Sequence, residues 1–114
     1  MAFGTRAQFE AVREVAAASV GATYSAVGTA IVDHARLIRI VSTLNAEVYV
    51  SFDGIVDHIR MAVGSFFIMD LSSNKVRDDG MFVSVGTVFY VKQVSGAAAT
   101  GSLWIEVLYA AGGV

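Results

Sequence analysis

The chain has no cysteine and no proline in its 114 residues, one tryptophan, two histidines, and charged side chains at only 16% of positions. Without cysteine there is no disulfide framework, no thiolate zinc site and no cysteine nucleophile. Without proline, a common device for blunting sheet edges is missing, so edges need pairing or a neighbouring subunit for protection. The charges nearly cancel: eight Lys and Arg against ten Asp and Glu leave a formal charge of −2. That balance excludes the strongly basic field that draws in nucleic acid. A long hydrophobic run is missing too. The longest charge-free stretch, Val15 to Val32, reaches the eighteen-residue minimum for a spanning helix. Its strong hydrophobes are only Val15, Val20, Val27, Ile31 and Val32, among Ala, Gly, Ser and Thr, so its insertion energy is marginal. A secretory leader is not expected either, because Glu10 and Glu14 accompany Arg6 and no Leu-rich segment follows. The expectation is a soluble protein made in the cytoplasm, with no membrane and no nucleic-acid partner.

What is present is apolar. Hydrophobic residues make up 55% of the chain, against roughly 45–50% for ordinary globular domains. The length suits one domain, with more apolar surface than a small monomer hides.

From Ala35 onward the periodicity is two, and short β-rich runs alternate with Gly, Asn, Asp and Ser clusters. This predicts an all-β fold, an antiparallel β-sandwich or jelly-roll of about 7–9 short strands. In Ala46 to Phe52, Val48, Val50 and Phe52 share one face. Asp53-Gly54 is a turn signal, after which a strand from Asp57 to Val63 would bury Ile59, Met61 and Val63. Further strands are expected at Ser65–Leu71, Met81–Val85, Thr87–Val94 and Ser102–Tyr109, with turns at Ser72–Lys75 and Asp78–Gly80. The last strand places Leu103, Ile105, Val107 and Tyr109 together. Residues 1–20 form an N-terminal arm before a sandwich domain at 21–114. Propensity favours a helix over Arg6–Ala18; the competing reading is a strand at Arg13–Val20 and another at Thr23–Val32. Strands are preferred after Glu14, with residues 1–12 a mobile or helical arm.

No residue pattern spells out a reaction. Ile31-Val32-Asp33-His34 recurs as Ile55-Val56-Asp57-His58, and two imidazoles with two carboxylates could complete a metal shell. Adjacent strand residues point to opposite faces, however, so each pair offers one ligand, and turn roles are preferred. Gly-x-Ser-x-Gly, Gly-x-Gly-x-x-Gly and Walker patterns are absent. Asp53 with Asp57, or Asp78 with Asp79, resembles a carboxylate pair, but Asp is also the ordinary turn residue. Arg36, Arg39 and Arg60 are read as surface charges ahead of an anion site. No catalytic residue, cofactor or metal ligand is assigned.

The more informative anomaly is apolar residues on both faces of several strands. Phe66 and Ile68 oppose Phe67, Met69 and Leu71; Trp104 and Leu108 oppose the Leu103 set; Leu37 and Val41 oppose Ile38 and Ile40. A free-standing sandwich has polar outer faces, and large apolar patches mark interaction surfaces. The expected assembly contacts are therefore Phe66, Ile68, Trp104 and Leu108, with Phe3 and Phe9 of the arm as a clasp onto a neighbour. A competing reading is a carbohydrate- or ligand-binding module using Trp104, Tyr49 or Tyr90 for stacking.

The runs Thr23–Thr29, Ala35–Ile40 and Ala46–Gly54, continued by Phe67–Lys75, Gly86–Lys92 and Gly101–Val107, resemble small structural proteins of tailed bacteriophage virions. The likeness spans about Ala22 to Ala110 and consists of strand-and-turn patterns rather than catalytic fingerprints. It implies a non-enzymatic virion protein made in the host cytoplasm, a head decoration (cement) protein that stabilises the capsid, or a neck or head-tail connector component. The implied partners are further copies of the chain as a homo-oligomer, and phage capsid or portal/neck proteins.

Overall fold

Period-two burial is what turns the β-rich runs into strands. The computed structural model describes residues 6–71 and 83–111. Its strands are β1 (Arg6–Phe9), β2 (Arg13–Ala16), β3 (Ser25–Val27), β4 (Ala35–Ser42), β5 (Val48–Ser51), β6 (Ile59–Met61), β7 (Phe66–Asp70), β8 (Phe89–Gln93) and β9 (Ser102–Ala111). They form two antiparallel sheets. The first has the order β1-β9-β4-β7, with β2 also on β9, and the second the order β3-β8-β5-β6. β1 covers Leu108 to Ala111 of β9 and β2 covers Ser102 to Ile105, so together they act as one interrupted strand. Counted that way, the eight strands of the described residues divide equally between two four-stranded sheets, with β5 and β6 a hairpin within the second, in the double Greek-key order of a jelly roll.

The inner faces meet in one core. Ile38 and Ile40 of β4 and Leu103, Ile105 and Val107 of β9 face Val48, Val50, Phe89 and Val91, all at 0–1% exposure. Phe67 and Met69 pack against its margin. A register shift between Ala35 and Leu37 lets Ala35 and Ile38 both point inward although three positions separate them. Gly101 makes the entrance to β9 possible. Its φ is +93°, and a Cβ there would lie 2.0 Å from the Thr43 carbonyl oxygen.

Several expectations need correction. The Arg6–Ala18 helix does not form: Arg6–Phe9 is a strand where an arm was expected, and the preferred strand at Arg13–Val20 is present but shorter, Arg13–Ala16, followed by a single 3-10 turn at Ala17–Ser19. Pairing with β9 and burial of Arg13 and Val15 outweigh helix propensity there. The strand expected over Thr23–Val32 shrinks to Ser25–Val27. Val63 is 55% exposed rather than core, because β6 ends at Met61 and the chain turns at Gly64 with φ +66°. The chain turns at Asp53-Gly54 and returns along β5 as expected, but the returning strand starts at Ile59 rather than Asp57; in the loop Ser51 Oγ accepts from the Asp53 and Gly54 amides, and Asp53 Oδ1 from those of Ile55 and Val56. The turns expected at Ser72–Lys75 and Asp78–Gly80 lie outside the described residues, as does Phe3. Val83 belongs to no strand and makes an isolated bridge to Ala35. No helix among the described residues is long and apolar enough to cross a membrane.

Candidate functional site

The outer face of the first sheet gathers the residues that alternate with the core. Register sets them in rows. Val41 of β4 lies between Trp104 of β9 and Phe66 of β7, and Arg39 between Glu106 and Ile68; Leu37 lies between Leu108 and Asp70, with Phe9 of β1 beyond Leu108. Phe9 is 66% exposed, Phe66 68% and Ile68 49%, while Trp104 and Leu108 are half-buried. Five of the six expected contact residues therefore share one face. A groove of about 570 Å³ crosses it, lined by Phe9, Glu10, Val12, Leu37, Arg39, Ile68 and Glu106.

In the middle of that apolar surface sits an ion pair. Arg39 Nε lies 2.5 Å from Glu106 Oε1 and Nη2 donates to Oε2 at 3.1 Å, a two-point contact across β4 and β9. The individual residues were visible in the sequence, but their pairing required the β4–β9 register. Leu37, Val41 and Val12 also belong to the face and were missed as contacts; alternation with Ile38 and Ile40 was the available signal for the first two.

Beside the face, the link between β1 and β2 is held by a clasp. Arg13, 8% exposed, donates through Nη2 to Glu10 Oε1 at 2.8 Å and to the Ala30 carbonyl at 3.2 Å, and through Nε to the Thr29 carbonyl at 2.8 Å. Glu10 Oε2 accepts the amides of Val32 and Asp33 at 3.0 and 2.9 Å. Burial pushes the Glu10 carboxyl up, but the Arg13 guanidinium and those two amides outweigh it and hold Glu10 below the usual carboxylate range. Partial desolvation, then the neighbouring Glu10 carboxylate, raises Asp33. Gly28 is required alongside, since a Cβ there would meet Arg13 Cγ at 2.8 Å.

The second sheet presents a different outer surface. Tyr24 donates its hydroxyl to Asp57 Oδ1, Lys92 Nζ lies 3.2 Å from the same oxygen, and the ammonium sits 4.7 Å from the Tyr24 ring and 5.7 Å from the Tyr49 ring. Desolvation first, then the Asp57 contact, pushes the Tyr24 phenol well above its usual range. Arg60 pairs with Glu47 at 2.9 Å. Arg39 and Arg60 thus stand on different sheets, each paired, and the three arginines form no common anion site. Trp104 likewise lies on the opposite sheet from Tyr49 and Tyr90, so the three aromatics do not build one stacking platform.

Each histidine serves a turn. His34 Nδ1 accepts the Val85 amide at 3.2 Å and His58 Nδ1 the Phe52 amide at 2.9 Å. Among the described residues, no three His, Cys, Asp or Glu converge in a way that could hold a metal ion.

Fold and surface together define an all-β jelly-roll sandwich with one apolar outer face. A chain of similar fold has been solved from Bacillus endospore appendages, described as a novel family of disulfide-linked pili; the TM-score is 0.55 at 13% identity, over 98% of this chain and 95% of that one. At that identity the likeness is one of fold. No protein-family model and no curated protein matches the chain.

Proposed function

We propose that the chain is a non-enzymatic structural subunit that joins a larger protein assembly through the outer face of its first sheet. The observation that carries this reading is the exposure of Phe9, Phe66 and Ile68 on the face they share with Trp104 and Leu108. The resemblance to tailed-phage structural proteins supports a virion setting: a head decoration protein that stabilises the capsid, or a neck and connector component. The reading assigns the chain no reaction and no cofactor. A second reading, a filament subunit, is favoured by the solved chain of similar fold, whose family forms pili. Those pili are disulfide-linked, whereas this sequence has no cysteine, so its contacts in a filament would be non-covalent.

Light scattering coupled to size exclusion, at two protein and two salt concentrations, tests the reading, with electron microscopy of the same samples. The expected result is a discrete oligomer, or filaments, that persists in salt because apolar contacts escape screening, and that Ile68→Asp abolishes. A chain that stays monomeric at high concentration and joins neither particles nor filaments would overturn it. Quenching of Trp104 by a glycan panel would instead favour a sugar-binding module.

A further inference from the structure

Resting on the assembly reading, we infer that the occupant of this face is a second copy of the chain, packed about a two-fold axis that runs between β4 and β9 and parallel to them. The charge pattern selects that axis. Arg39 and Glu106 are direct cross-strand neighbours at the centre of the face. A two-fold parallel to the strands and midway between them exchanges the two positions, so each Arg39 lies over the partner's Glu106 and the four charges close a ring. A two-fold perpendicular to the strands within the same plane would set Arg39 over the partner's Arg39, a like-charge contact that disfavours that arrangement. Arg39 is 48% exposed and Glu106 34%, so the pair has unused capacity for a second partner, and a closed ring leaves neither charge buried alone.

The same operation matches the apolar rows. Leu108 falls over the partner's Leu37 and Trp104 over the partner's Val41. Ile68 falls over the partner's β1–β2 link, where Val12 is 57% exposed. Phe66 and Phe9 reach the corners, over the partner's Glu14 and Asp70, whose carboxylates lie at the solvent rim. Strand directions stay nearly aligned, as in ordinary sheet-on-sheet packing. Ten residues at ~3.4 Å along β9 and four strands at ~4.8 Å give a face of ~650 Å², near the ~800 Å² each partner contributes to a standard interface.

The absence of native cysteine makes engineered thiols clean reporters. Under oxidation, a Phe66→Cys chain mixed with a Glu14→Cys chain should cross-link, while Phe66→Cys mixed with Asp70→Cys should not. The reverse pattern would show the perpendicular axis and overturn the inference. By light scattering the wild-type chain should be a dimer. Arg39→Glu alone or Glu106→Arg alone should raise its dissociation constant about a hundredfold, a far larger effect than the modest loss of monomer stability from like charges opposed across β4 and β9, and the double swap should restore both to near the wild-type values. An oligomer lacking two-fold symmetry that Ile68→Asp still abolishes would overturn the two-fold arrangement and leave the assembly reading standing. A monomer that joins nothing would overturn both.

Discussion

Single residues on this scaffold have contrasting tolerances that follow from local geometry. Gly101 combines a φ of +93° with a backbone neighbour where its Cβ would stand, whereas Gly96 has nothing within 4 Å. Gly101→Ala should therefore cost more than about 2 kcal/mol, since neither the dihedral nor the Thr43 carbonyl can yield cheaply, while Gly96→Ala should be neutral or slightly stabilising. Urea unfolding of the two variants checks the contrast. Asp53 makes a pH prediction. The amides of Val56 and Ile55, then the Ser51 hydroxyl, pull its carboxyl from 3.8 down to about 2. Because the folded value is the lower one, this carboxylate adds stability above about pH 4 that is lost as pH falls toward 2. A carboxyl NMR titration should place its midpoint near 2, and Asp53→Asn should flatten that acid limb of the stability curve. A midpoint near the ordinary value would mean the loop's amides do not bind the carboxylate in solution.

At the scale of elements, the interrupted edge strand is the least expected feature. Its residues have helix propensity, yet Arg13 and Val15 alternate in burial with Glu14 and Ala16 because β9 offers them a ladder. The Glu10–Arg13 clasp then ties the break between β1 and β2 to the segment 29–33. Removing one partner leaves a charge with little water around it, so Arg13→Met should cost about 3 kcal/mol. Arg13→Met combined with Glu10→Gln should cost clearly less than the sum of the two, and a double-mutant cycle by thermal unfolding measures that coupling. Additive effects would show that the clasp is not energetically joined.

For the whole molecule, the two faces of the first sheet separate stability from assembly. Ile105 is fully buried between the sheets and Ile68 is 49% exposed on the outside. Ile105→Ala should lose about 3 kcal/mol of folding stability, whereas Ile68→Ala should lose less than about 1 kcal/mol and weaken association instead. Calorimetry and light scattering on the same pair of variants read the two effects independently. Both variants losing stability equally would mean that the outer face is covered in the isolated chain.

Periodicity two, with Gly and Asp between the runs, was sufficient by itself for an all-β sandwich. It also sorted Ile38 from Leu37 and Ile105 from Trp104, because alternation along a strand is a local property that side-chain order records. The absence of cysteine settled equally directly that no disulfide staples this chain. Sequence favoured a strand beyond Glu14 but could not show that Arg6–Phe9 would be one, nor that the second would stop at Ala16, since both are decided by β9, nearly a hundred residues away. Nor could it show that Val63 would be left outside, because β6 stops at Met61, opposite Val48 where β5 begins. The meeting of Arg39 with Glu106 and the gathering of Phe9, Phe66, Ile68, Trp104 and Leu108 on one surface were likewise decided only by tertiary structure. Strand order and register are long-range pairings, and no local run of residues encodes which distant strand will lie alongside it.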